Sequence, residues 1–266
     1  WLDEGVEVSL SLDGPREVHD SCRVDGLGQG SFHRIERLLG QLAGPGRRNG
    51  LRVRATISPA AARRLAEALD FWLGLGIRHI TATPDFHDPA WTPQATAALL
   101  DQLERTAERY ASARARGEGF RFQAFEVRAA KGAQGRLPQA CGAGDFSFAI
   151  SPQGDLYPCN FSYLLPDRRL GNVHQDDWSR MARPVSREYN PFRRRVCVGC
   201  AEFATCNSVR CPYLNLSLTG DMHRPTGFLC QYERLVGELG RRLAREAPAQ
   251  GEGRGWQPDG EGGARA

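Results

Sequence analysis

Residues 197–211 read CVGCAEFATCNSVRC, and this stretch holds four of the chain's eight cysteines. A CxxC pair sets two sulfurs on one tight turn, where they can bite a single metal ion or two irons of one cluster. Cys141, Cys159 and Cys230 flank the stretch at long separations, so the chain must fold back to gather them. These seven cysteines exceed the ligand count of one tetrahedral ion, which points to two metal centres. Cys22 stands apart and reads as an incidental thiol.

With 266 residues and 41% hydrophobic content, the chain can bury the core of one large domain or two ordinary ones. The net charge of +4 comes almost wholly from arginine, since Lys131 is the single lysine. No basic face of the kind nucleic acid requires is legible, and the one dense run, Arg193 to Arg195, is expected to be a solvated turn. No apolar run is long enough to span a bilayer, and the opening residues WLDEGVEVSL lack a signal-peptide pattern. These features predict no nucleic-acid partner, no membrane association and a reducing cytoplasm, where clustered cysteines bind metal or do redox chemistry. A chain that begins with Trp1 is expected to be a fragment.

Upstream of the cysteines, the pattern alternates between strand and helix. Val6 to Leu12 reads as a strand ended by Asp13-Gly14-Pro15, and Ser31 is placed to cap a helix carrying Ile35, Leu38, Leu39 and Leu42. That helix should break at Gly44-Pro45-Gly46, before a strand from Leu51 to Ile57. Ser58 and Pro59 are expected to open the next helix, with Leu65, Leu69 and Trp72 buried. A strand from His79 to Thr83, a helix between Pro93 and Arg116, and a strand or bridge from Phe120 to Val127 follow. Such alternation predicts parallel strands with crossover helices, hence an open α/β sheet or part of a barrel.

Composition shifts after Lys131, where Gly, Pro and Cys become frequent and helical periodicity is lost until Gln231. The expected division is residues 1–134, then 135–246, then a glycine-rich disordered tail at 247–266. Phe146, Phe148 and Ile150 run into Pro152-Gln153-Gly154-Asp155 and out through Leu156-Tyr157, a hairpin pattern that leads to Cys159. A last amphipathic helix is expected from about Tyr232 to Arg245.

The thiols fit zinc or iron. Two closed all-cysteine zinc sites would need all eight cysteines, Cys22 included, and His174 and His223 show no paired spacing that would complete such a site. An iron-sulfur cluster tolerates three protein thiolates, so the seven grouped cysteines divide as four plus three.

At this point the chain resembles the radical SAM enzymes that carry a SPASM domain. Cys141, then the GxxxxC of Gly154 and Cys159, then Cys197, Cys200, Cys206 and Cys211, then Cys230 follow that family's order. One departure is visible: NSVR between Cys206 and Cys211 is one residue longer than the family's usual spacing, and a slight bulge is expected there. The segment SLDGPREVHDSCR resembles the fourth barrel strand of these enzymes and the loop after it, and LGNV after the hairpin also recurs.

The resemblance implies the C-terminal part of a partial (β/α) barrel followed by a SPASM domain with two auxiliary [4Fe-4S] clusters. One would take Cys141, Cys159 and Cys211, and the other Cys197, Cys200, Cys206 and Cys230. It makes Ser11, Arg23 and Phe86 candidates for contact with S-adenosylmethionine. The CxxxCxxC loop that binds the SAM-cleaving cluster is not in this sequence, so SAM and a third [4Fe-4S] cluster are implied only for a full-length form. Asn160 stands where sulfatase-maturing members have an aspartate base, and no catalytic residue can be assigned. The implied activity is radical maturation of a ribosomally made peptide (a RiPP precursor), with ferredoxin or flavodoxin as reductant. The alternative is a non-catalytic iron-sulfur or zinc-binding scaffold that holds a peptide.

Overall fold

The computed structural model describes residues 8–42, 50–126, 141–177 and 181–246. The expected boundary near 135, the tail from 247 and the Gly44-Pro45-Gly46 break lie outside these residues.

The first half is an α/β layer. Its strands are β1 (Val8–Ser11), β2 (Leu51–Ile57), β3 (His79–Pro84) and β4 (Arg121–Phe122), and they form one sheet in the order β1-β2-β3-β4. Every pairing is parallel, with Leu10 opposite Val53 and Val53 opposite Ile80. In β2 the alternation of Leu51, Val53, Ala55 and Ile57 buries one face, which is why this strand was legible in sequence. The strand expected over Phe120 to Val127 is only Arg121–Phe122, and the chain is helical at 123–126.

Helices α1 (Arg16–Asp20), α2 (Phe32–Gln41), α3 (Leu65–Gly74) and α4 (Pro93–Ala115) link the strands. Thr92 caps α4, its side chain accepting from Ala95 N at 3.1 Å, and Pro93 follows at the first helical position. Two expected caps differ. Ser31 makes no cap bond because its hydroxyl donates to Arg23 O, and Asp20 instead accepts from Phe32 N at 2.8 Å. Ser58 accepts from Ala61 N, but a 3-10 turn at Ala62–Arg64 delays the α-helix to Leu65. Leu69, Trp72, Leu99, Leu103 and Ala107 are fully buried against the sheet. Each large apolar side chain there contributes on the order of 1.5–3 kcal/mol of burial.

The second half opens with a small antiparallel sheet, β5 (Ala149–Ile150), β6 (Asp155–Tyr157) and β7 (Gly171–Asn172). Gly154 turns the hairpin at φ +86°, and the imidazole of His174 and the Asn172 side-chain amide occupy the space a Cβ would need. Among the described residues, three α-helices follow: α5 (Asn207–Arg210), α6 (Pro212–Thr219) and α7 (Gly227–Arg245). The bulge expected at NSVR is instead the helical turn α5. The final helix starts at Gly227, where the Thr226 side chain accepts from Leu229 N. Among the described residues, no helix is long and apolar enough to cross a membrane.

The second half has a small core of its own, Ala143, Val185, Tyr189, Tyr213 and Met222, and its last helix also enters the core of the first. Tyr232, Val236, Leu239 and Leu243 of α7 join the buried cluster of the parallel sheet. The loop after β3 reaches the other way: His87 Nε2 lies 2.9 Å from Ser217 Oγ on α6, and its ring stacks on Phe161. This loop leaves the C-terminal end of a parallel strand, the end at which open α/β sheets bind ligands.

Candidate metal centre

Three cysteines are brought together by the corner between α5 and α6. Cys211 ends one helix and begins the next, its N–H donating to Asn207 O at 2.8 Å and Pro212 following at the first position of α6. Asn215, fully buried, locks this corner. Its amide nitrogen donates to Ser208 O, Cys211 O and Met222 O, while its oxygen accepts from Ser208 Oγ. Cys141 joins through its N–H, which donates to Arg210 O at 3.1 Å. Buried Ser162 fixes Cys159, its hydroxyl accepting from Cys159 N and donating to Cys159 O.

Two of these thiols, Cys211 and Cys141, are shifted. Burial pushes the Cys211 thiol up to about 12, and the negative charge of Cys141 and Cys159 adds to the shift. Burial also raises Cys141, with repulsion from Cys159. Taking such sulfurs to thiolates requires a compensating cation, the role a metal centre fills.

The second group lies on the loop before α5 and on α7. Cys197 closes a 3-10 turn, Cys200 N donates back to Cys197 O, and Cys206 N donates to Glu202 O. Cys230 sits in the first turns of α7, its thiol raised by burial and then by Cys197 and Cys200. Two buried carboxylates fasten this loop to the helix. Glu202 pairs with Arg241, and Glu233 accepts from Asn207 N at 2.6 Å.

Arg194, in the run expected to be solvated, is 2% exposed. Its neighbours Arg193 and Arg195 are exposed, so the expectation holds for them alone. Arg194 Nε donates to Cys197 Sγ at 3.4 Å, Nη1 to Ser208 O and Tyr189 Oη, and Nη2 to Ser208 Oγ. Burial works against this charge, yet the bonds to Cys197 and Tyr189 outweigh it and hold the guanidinium pKa above its ordinary value.

All seven grouped cysteines are half-buried and free of disulfides. An all-thiolate donor set of this kind suits iron-sulfur clusters or zinc. Among the described residues, no three Cys, His, Asp or Glu side chains converge on one ion position, so the grouping is one of neighbourhood. Cys22 is exposed and lines a cavity with Ser11 and Arg23.

The candidates for SAM contact divide. Ser11 and Arg23 line one open cavity of about 460 Å³ together with His19, Cys22 and Ser31. Arg23 is already engaged there, since Nε and Nη2 donate to the two oxygens of buried Asp13 at 2.7 and 3.0 Å. Phe86 is outside that lining, packed at 5.5 Å between ring centroids on Phe228 and Tyr232 of α7. Asn160 is exposed beside Cys159.

The family model for SPASM, described as an iron-sulfur cluster-binding domain, matches residues 141–212. The mycofactocin maturase MftC of Mycolicibacterium smegmatis is 31% identical over 216 residues, covering 76% of this chain and 51% of that protein. MftC of Mycobacterium ulcerans is 32% identical over 223 residues, covering 76% and 54%. The chain resembles SPASM-bearing maturases. It spans about half the length of the curated relatives it matches. The fold agrees: anSMEcpe with bound AdoMet superposes with a TM-score of 0.69 at 18% identity, covering 91% of this chain and 66% of that one. The same enzyme with AdoMet and the Kp18Cys peptide gives 0.66, covering 89% and 68%.

The SPASM match contains every grouped cysteine except Cys230, which α7 supplies from beyond it. Sequence reasoning missed helix α6 and the roles of Asn215, Glu202 and Arg194. A proline directly after Cys211 was a usable helix-start signal for α6; nothing local marks Arg194 as buried.

Proposed function

We propose that this chain is the SPASM-bearing C-terminal portion of a radical SAM maturase that modifies a ribosomally made peptide. In this reading Cys141, Cys159 and Cys211 hold one auxiliary [4Fe-4S] cluster, and Cys197, Cys200, Cys206 and Cys230 hold the other. The observation that carries it is the match of residues 141–212 to the SPASM iron-sulfur cluster-binding domain, and the packing of Cys141 and Cys159 against one small buried cluster, with Cys211 beside them, supports the assignment of the three-cysteine site. When bound, an auxiliary cluster supplies a one-electron acceptor, or an open iron that ligates substrate where only three thiolates hold it.

The chain's own residues supply order. Asn215 and Ser162 immobilise the backbone at Cys211 and Cys159, and Glu202 and Glu233 tie the four-cysteine loop to α7. Through α7 that loop is anchored in the core of the parallel sheet. The His87 contacts set the loop after β3 against the three-cysteine side. Ser11 and Arg23 border a cavity at the end of β1 that suits a polar cofactor, with Arg23 oriented by Asp13. Arg23 retains N–H groups that Asp13 does not use. Asn160 cannot take a proton, so the chemistry does not use a base at that position.

The maturase would work in a reducing cytoplasm with ferredoxin or flavodoxin as electron donor. The coding DNA directly upstream tests the reading: an in-frame CxxxCxxC segment is expected, and the complete protein should alter a precursor peptide in a SAM-dependent way. An upstream stop codon with no such segment would favour the peptide-binding scaffold instead.

A further inference from the structure

We propose that Arg194 sets the reduction potential of the cluster held by Cys197, Cys200, Cys206 and Cys230, making it the more easily reduced of the two. This inference rests on the cluster assignment above. Arginine stays protonated at all working pH, and a buried one is ordinarily matched by a carboxylate. Among the described residues Arg194 has none; its partners are Cys197 Sγ, Tyr189 Oη and the Ser208 carbonyl and hydroxyl. Tyr189 donates its own hydroxyl proton to Val209 O at 2.6 Å, which leaves its oxygen free to accept from Arg194. Ser208 donates to Asn215 Oδ1, so its oxygen too is an acceptor for the guanidinium.

The guanidinium is therefore held by three groups and aimed at a sulfur by the fourth. Reducing an iron-sulfur cluster adds negative charge to the irons and their sulfurs. A fixed buried cation with an N–H directed at a ligand sulfur favours that reduced state, and hydrogen bonds to cluster sulfurs are a principal control of potential. The effect is strong because the charge is shielded from water. Among the described residues the three-cysteine group lacks an equivalent. Arg210 acts on Cys141 only through space and is partly exposed, and the polar contacts that favour its thiolates are backbone N–H groups such as those of Ala143 and Leu214.

The test is a redox titration of the anaerobically reconstituted chain, followed by electron paramagnetic resonance, with the four-cysteine signal identified by its loss in Cys230→Ala. In Arg194→Gln, at the potential where the wild-type cluster is half reduced, the ratio of reduced to oxidised cluster should fall about tenfold or more, a downward shift of ~59 mV for one electron. Arg194→Lys, which keeps the charge but not the fork, should shift less in the same direction, and it carries the test if the glutamine variant does not fold. The signal of the other cluster should not move. Variants with wild-type iron and sulfide content and an unchanged midpoint would overturn the proposal. So would folded variants that lose the four-cysteine cluster, since the arginine would then serve assembly. Failure of the cluster assignment itself would appear in the wild-type protein, as an absence of any iron-sulfur signal.

Discussion

Glu202 occupies the space over Gly237 of α7, so a Cβ at residue 237 would meet the carboxylate of Glu202. The carboxylate is buried and paired with Arg241 one turn further along the helix, so it has little room to withdraw. The glycine thus allows the four-cysteine loop to lie directly on α7.

Gly237→Ala should destabilise the protein by about 1–3 kcal/mol, the usual cost of overpacking, despite alanine's better helix propensity. Gly40→Ala is the control. A Cβ at residue 40 in α2 meets nothing, so this change should be neutral or stabilising by up to ~1 kcal/mol. Denaturant melts of both variants check this, and equal behaviour would contradict the close contact.

Asp13 is the polar anchor of the sheet's open end. Its carboxylate takes two bonds from Arg23 and one from Thr56 N at 2.8 Å, joining the loop after β1 to β2. Asp13→Ala should cost about 2–3 kcal/mol, less than the ~3–5 kcal/mol of a fully buried broken pair because Arg23 keeps solvent contact. Thermal melts measure the cost, and a loss below about 0.5 kcal/mol would place the pair among ordinary surface bridges.

Buried His19 gives the fold a pH dependence. Its Nδ1 accepts from Asp13 N, while Ser31 Oγ, which donates to Arg23 O, accepts from Nε2–H; both contacts suit the neutral ring. Burial lowers its pKa and Arg23 adds to this, against opposing pulls from Asp13 and Asp20. Because the folded-state value lies below the unfolded one, the full stability is present above about pH 6.5 and is lost as pH falls from there through the lower folded-state value. Between pH 7.5 and 5.5 the wild type should lose more unfolding free energy than His19→Gln. Parallel losses would show that other groups carry the dependence.

What the sequence made legible follows from locality. Strand β2 and helix α4 announce themselves because burial follows a period of two in one and a 3.6-residue stripe in the other. Helix α6 does not, since Pro212, Tyr213, Leu214 and Asn215 are buried in succession and leave no stripe to read. Ser31 was a sound cap candidate displaced by Asp20 from a neighbouring turn, a competition settled only in three dimensions. The cysteine order pointed to the site, but the burial of Arg194 depends on Ser208 and Tyr189 meeting it in the folded chain.

We predict that the seven grouped cysteines form two independent iron-sulfur sites, which metal and sulfide analysis of three anaerobically prepared proteins can separate. The unaltered chain should be brown, with about eight irons and about eight sulfides per chain. Cys211→Ala and Cys230→Ala should each keep roughly half of both, with complementary spectra that sum to the parent. A colourless protein with about two zinc ions and no sulfide, or a single cysteine change that empties both sites, would rule out two independent clusters.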